Sequence, residues 1–170
     1  MTDFHQEPLI TTLHALYEAF DKESYLASLE RRLEEHARHE RISLLLPSLY
    51  SEIREDGPLN HILEQIKQTR YLRNVVVALG GTSDEADFRH AKEYFGQLRT
   101  DRREVRVVWV EGPRIQQVLG AIGSRGLTTG EPGKGQSVWV ALGYLFARDQ
   151  SDVIALHDCD IVTYNRILLG

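Results

Sequence analysis

The stretch NVVVALGG, residues 74–81, is apolar without alternation and stops on two glycines. A strand with one face in water alternates apolar and polar residues, whereas an unbroken run is buried on both faces. ISLLLP, residues 42–47, reads the same way, as a central parallel strand ended by Pro47. EVRVVWV (104–110) and the run from Asp152 to Leu156 complete a set of four. Helical periodicity fills the gaps. Leu59, Ile62, Leu63 and Ile66 keep a three-to-four spacing within 59–71. Residues 85–98 follow an N-cap candidate, Thr82-Ser83-Asp84, and 114–122 and 137–148 read as further helices. Strand–helix alternation with apolar strands predicts an α/β fold: a mostly parallel, Rossmann-like sheet flanked by helices.

Ahead of the sheet, residues 8–40 read as helix, through Leu9, Leu13, Leu16, Tyr17 and Phe20 and then Tyr25, Leu26, Leu29 and Leu33. The expected organisation is an N-terminal helical extension over 1–40 and one α/β domain over 41–170. The extension could pair two copies, so a homodimer is an open expectation. The 170 residues suffice for one domain with a proper core. A net charge of -5 argues against a nucleic-acid partner. The single Cys159 excludes an internal disulfide framework and suits a reducing compartment. The first twenty residues lack a signal-peptide pattern, and no run approaches the roughly 18 apolar residues of a membrane span. The expectation is a cytoplasmic protein with no membrane span.

Ligands of parallel sheets bind at the carboxyl ends of the strands. Four features fall there: Pro47-Ser48-Leu49, Gly80-Gly81-Thr82, Gly133-Lys134-Gly135 and Asp158-Cys159-Asp160. Gly133-Lys134-Gly135 precedes a helix, where glycines allow close approach and the helix start favours anions. It is neither a P-loop, because Gly135 follows Lys134 and Thr128 replaces the first glycine, nor a GxGxxG fingerprint, because Val138 ends it. A flexible surface turn is the bland alternative. Asp158 and Asp160 could hold Mg²⁺ or Mn²⁺ together with phosphate oxygens. A solvated strand end is the alternative there.

Together LLLPSLYSE (44–52), VVVALGGTSDEA (75–86), GPR (112–114), GKGQSVWVALGY (133–144) and VIALHDCDIVTYNRILLG (153–170) resemble nucleotide-sugar glycosyltransferases of the GT-A type, closest to the glucosyl-3-phosphoglycerate synthase group. The resemblance covers nearly everything after residue 40. It implies the donor-binding, N-terminal part of such an enzyme, truncated after the DxD. It also implies transfer of a hexose from UDP- or GDP-hexose to a small acceptor such as 3-phosphoglycerate. Pro47, Ser48, Leu49 and Glu52 would then hold the nucleoside, with Gly81 and Thr82 near the base. Gly133, Lys134 and Gly135 would contact the nucleotide. Asp160 would be the main ligand of Mg²⁺ or Mn²⁺, and Asp158 would lie nearer the ribose or sugar while sharing the metal. No catalytic residue follows from the resemblance. Tyr50-Ser51 and Leu79 depart from the family pattern and leave the base open.

Two rival readings remain. Asp158-Cys159-Asp160-Ile161-Val162 also fits the DxDx[TV] motif of haloacid-dehalogenase-like phosphatases, whose first Asp is a nucleophile. That motif, however, normally opens its domain. The other rival is a non-catalytic nucleotide-binding module. Smaller expectations concern single residues. His157 should be a strand-end His with one nitrogen satisfied, and Cys159 no nucleophile. Trp109 and Trp139 should both be core residues, and His36 and His39 should lie on a solvated face.

Overall fold

The computed structural model describes residues 22–54 and 57–169. The helical reading of residues 8–21 lies outside the described residues. The order is α1 (Lys22–His36), β1 (Ile42–Leu49), α2 (Tyr50–Arg54), α3 (Leu59–Lys67), β2 (Leu72–Gly80), α4 (Glu85–Gly96), β3 (Glu104–Trp109), α5 (Pro113–Gly123), α6 (Lys134–Arg148) and β4 (Val153–Leu156). A short 3-10 turn, Arg166–Leu169, follows. The fold is α/β, as the strand–helix alternation predicts.

The four strands are all parallel, in the order β3-β2-β1-β4. Side chains along β1 and β2 alternate between two cores. Leu44, Leu46, Val75, Val77 and Leu79 pack with α3 and α4 through Ile62, Leu63, Ile66 and Phe95. Leu45, Val76 and Ala78 face the other way, onto Val140, Ala141 and Leu145 of α6. Leu44, Leu45 and Leu46 are wholly buried, and each contributes about 2 kcal/mol by leaving water. Burial on both faces is why these strands carry no polar alternation. Helix α1 packs on the first core through the half-buried Leu33, and Glu30 meets Arg166 at 2.7 Å.

Two strand expectations need correction. β1 does not end at Pro47 but runs on to Leu49. The Leu45 carbonyl accepts from His157 N, so Leu45 turns its polar groups toward β4. Pro47, two residues on, faces the same side, beyond the last β4 partner at Leu45–Leu156. Its missing N–H therefore removes no ladder bond. Nor is β4 buried: Val153 is 42% exposed and Leu156 50%. It is one of the two edge strands among the described residues, opposite β3, and edge strands do not need two covered faces. His36 and His39 are exposed, as expected.

Candidate functional site

β1 passes into α2 without a loop. Leu49 is the last strand residue, and Glu52 sits three positions on, in the first turn of the helix. Glu52 Oε2 accepts from Leu49 N at 3.0 Å and from the Ser48 hydroxyl at 2.9 Å. This is half of a capping box: a Glu at the third helical position satisfies an N–H that the helix start leaves orphaned. The Leu49 side chain is left 52% exposed at the strand's end.

β2 ends beside it on Gly80 and Gly81. Gly81 has φ +77°, and a Cβ there would lie 3.3 Å from Leu49 Cδ2. The position thus needs glycine for its conformation and again for the approach of Leu49. Gly81 N–H donates to Glu111 Oε1 at 3.0 Å, from just past β3. Sequence reasoning missed Glu111; the only signal was its place directly after an apolar run, at a third strand's end. Thr82 faces elsewhere. Its hydroxyl donates to Asp87 at 2.7 Å, and its carbonyl accepts from Trp109 Nε1 at 2.7 Å.

The glycine–lysine segment is the start of α6, not a loop ahead of it. Gly133 is the cap residue, and Lys134 opens the helix. Gly133 O accepts from Ser137 N at 3.0 Å and from the Ser137 hydroxyl at 3.1 Å. Gln136 donates to the carbonyls of Thr129 and Gly130 and ties the preceding loop to the helix. A cavity of about 780 Å³ opens between these parts, walled by Leu49, Gly81, Glu111, Gly133, Gln136 and Ser137. Pro47, Ser48, Glu52, Thr82, Gly135 and the two Asp residues stand outside those walls.

Lys134 reaches away from the cavity. Its Nζ meets Asp158 Oδ1 at 2.7 Å, with the two side chains 55% and 44% exposed. That bond raises the Lys134 pKa above its ordinary value; Asp160 and Glu52 add to the effect from further off. β4 has already ended at Leu156, and Cys159-Asp160 form a turn. The two carboxylates therefore do not share the regular side of a continuing strand. Cys159 is buried between them, and its thiol is pushed up to about 12, first by burial and then by Glu52. It is no nucleophile. His157 Nδ1 lies 2.9 Å from the Tyr164 hydroxyl, and burial lowers its pKa. It behaves as the satisfied strand-end His that was expected.

Trp109 stacks on Phe88 with ring centroids 5.0 Å apart and packs against the core. Trp139 does not follow it: the residue is 48% exposed. The buried stripe of α6 runs through Ser137, Val140, Ala141 and Leu145, and position 139 falls off it.

Asp158 and Asp160 are hard oxygen donors suited to Mg²⁺ or Mn²⁺. A cation, the Lys134 ammonium, already rests on Asp158. No group of three or more His, Cys, Asp or Glu among the described residues is arranged to hold a metal. A metal on these two carboxylates would have to take its remaining ligands from a phosphate and water.

No family model matches the chain. A glucosyl-3-phosphoglycerate synthase of Persephonella marina is 40% identical over 169 residues, covering 99% of this chain and 39% of that protein. A glucosyl-3-phosphoglycerate synthase of Methanococcoides burtonii is 39% identical over 164 residues, 96% of this chain and 37% of that protein. The chain thus spans under two fifths of the length of the curated relatives it matches. The resemblance seen in the motifs is borne out along almost the whole chain. A crystal structure of glucosyl-3-phosphoglycerate synthase from Mycobacterium tuberculosis, in complex with Mn²⁺, UDP and glucosyl-3-phosphoglycerate, matches 81% of this chain and 40% of that one. It does so at 20% identity and a TM-score of 0.48. Among the described residues, no helix is long and apolar enough to cross a membrane.

Proposed function

We propose that this chain is the donor-binding part of a metal-dependent glycosyltransferase that moves a hexose from a nucleoside-diphosphate sugar to a small acceptor such as 3-phosphoglycerate. The observation that carries the reading is the identity of about two fifths to two glucosyl-3-phosphoglycerate synthases across nearly the whole chain. The geometry supports it. Three strand ends and the start of α6 converge on one cavity, and Lys134 at that helix start pairs with Asp158 of the acidic pair.

In this reading the base and ribose enter between Leu49, Gly81 and Glu111. Pro47 and Ser48 shape the wall behind them, and Glu52, which stands beside them outside the cavity walls, would offer the nucleoside its second carboxylate oxygen. Thr82 acts through the turn it fixes at Gly81. Gly133 and Gly135 let the backbone approach the ligand, and Lys134 exchanges Asp158 for the diphosphate. Asp160, with Asp158, would hold Mg²⁺ or Mn²⁺, which neutralises the charge that builds on the leaving diphosphate. The domain boundary near residue 40 and the position of this segment ahead of an acceptor-binding part belong to the same proposal.

The test is calorimetric titration of the chain with UDP and with GDP, in Mn²⁺ or Mg²⁺ and then in EDTA, repeated on Asp160→Ala. Saturable, metal-dependent binding that the variant loses is the expected result, and the tighter nucleotide names the base. Binding that ignores both the metal and the substitution would overturn the assignment of the acidic pair.

A further inference from the structure

We propose that the amino-terminal end of the sheet is a second anion-binding site, built to take a small phosphate-bearing molecule at the pole opposite the nucleotide crevice. A concavity of about 620 Å³ lies there, lined by Arg41, Arg73, Arg99, Arg102, Arg103 and Arg106. Only two acidic residues, Asp101 and Glu104, share the lining. The whole chain carries a net charge of -5, so this local excess of positive charge runs against the average.

Ion pairing consumes little of it. Arg41 meets Asp152 at 2.7 Å, and Arg106 meets Glu104 at 3.3 Å. Arg73, Arg99, Arg102 and Arg103 have no carboxylate within ion-pair distance among the described residues. Like charges gathered in a concavity raise the local concentration of an anion. Guanidinium groups match phosphate oxygens two at a time, which sets this lining apart from a general positive field.

Arg103 adds a buried positive charge to this lining. It is 3% exposed, and its Nη atoms donate to the carbonyls of Ile66, Leu98 and Thr69. Its Nε is buried with no acceptor. Burial lowers its pKa, and no carboxylate acts against that. A buried cation without a counter-charge is costly to keep. Carbonyl dipoles hold the group in place but do not neutralise it, so its charge adds to the positive potential of the concavity it lines, while the direct contacts to an anion fall to the exposed arginines. Arg73 and Arg102, exposed at the rim, would complete the cage.

The probes are inorganic phosphate and pyrophosphate, titrated calorimetrically in EDTA so that no metal can carry them to the acidic pair. Three proteins are compared: the native chain, Arg73→Ser/Arg102→Ser, and Lys134→Ala. The expected result is saturable binding that weakens about tenfold or more in the double variant and is unchanged in Lys134→Ala. Amide shifts in the native chain should map to Thr100–Arg103, a readout that needs no variant. Overturning results are absence of saturable binding below about 10 mM, equal binding by the double variant, or loss of binding in Lys134→Ala. The first of these leaves the nucleotide reading untouched, since that reading stands on metal-dependent binding at the other pole.

Discussion

Lys134 at the start of α6 and Asp158 in the turn after β4 are joined by a 2.7 Å ion pair. The pair puts a cation where a metal would otherwise share the carboxylate. Replacing Lys134 by Ala should therefore move two affinities in opposite directions. Mn²⁺ alone should bind more tightly, because the ammonium no longer competes for Asp158. Nucleoside diphosphate with Mn²⁺ should bind about tenfold more weakly, because one charge-assisted phosphate contact is lost. Calorimetry of each titration checks this, and parallel changes would contradict it.

Glu52 has two separable roles. As a helix-start acceptor it needs only an oxygen; as a nucleoside ligand it needs its charge. Glu52→Gln should retain stability to within about 0.5 kcal/mol, whereas Glu52→Ala should lose about 1 kcal/mol in urea unfolding. Both should weaken nucleotide binding. If Glu52→Gln binds like the native chain, Glu52 is a cap and nothing more.

Gly81→Ala should destabilise the chain by about 1–2 kcal/mol, since an L-residue at φ +77° is strained. The new methyl would also press on Leu49, so nucleotide affinity should fall beyond the loss of stability. Gly57→Ala, where a Cβ would meet nothing within 4 Å, is the control.

Burial holds the His157 imidazole below its ordinary pKa. The unfolded chain, with an ordinary value near about 6.5, takes up the proton first as pH falls. The stability tied to neutral His157 is thus fully present above that value and is lost as pH drops through the lower folded value. Urea midpoints at about pH 7.5 and about pH 5.5 should fall further apart in the native chain than in His157→Gln. Equal separations would mean the imidazole is not desolvated.

The sheet was legible because burial on both faces leaves unbroken apolar runs, here short and separated by helical periodicity. The same rule misjudged β4, whose sequence is as apolar as its neighbours while its place is at the edge. Strand order is not written in any one strand. Pro47 was misread for the same reason, because its tolerance depends on which side of β1 is unpaired. Of the glycine-marked candidates, Gly81 and Gly133 line the cavity, whereas Gly135 does not. Glu111 carries no such mark, and only the register of β2 against β3 brings it to Gly81. Trp139 has the chemistry of a core residue, but the position of the buried stripe on α6 decides, and it leaves Trp139 48% exposed.

β1 sits between a near partner and a far one. Ser43 and Asn74, which bond across β1 and β2, are 31 residues apart, whereas Arg41 and Asp152, at the start of the β1–β4 pair, are 111 apart. Long loops close late and slowly, so the turn that carries the acidic pair should be the last part of the sheet to assemble. The same four-residue strand, exposed at the edge, should be the first to open. Amide hydrogen exchange is therefore expected to be faster along Val153–Leu156 than along Val75–Leu79. Asp158 would then report on whether β4 has docked on β1, since the turn after β4 carries it to Lys134.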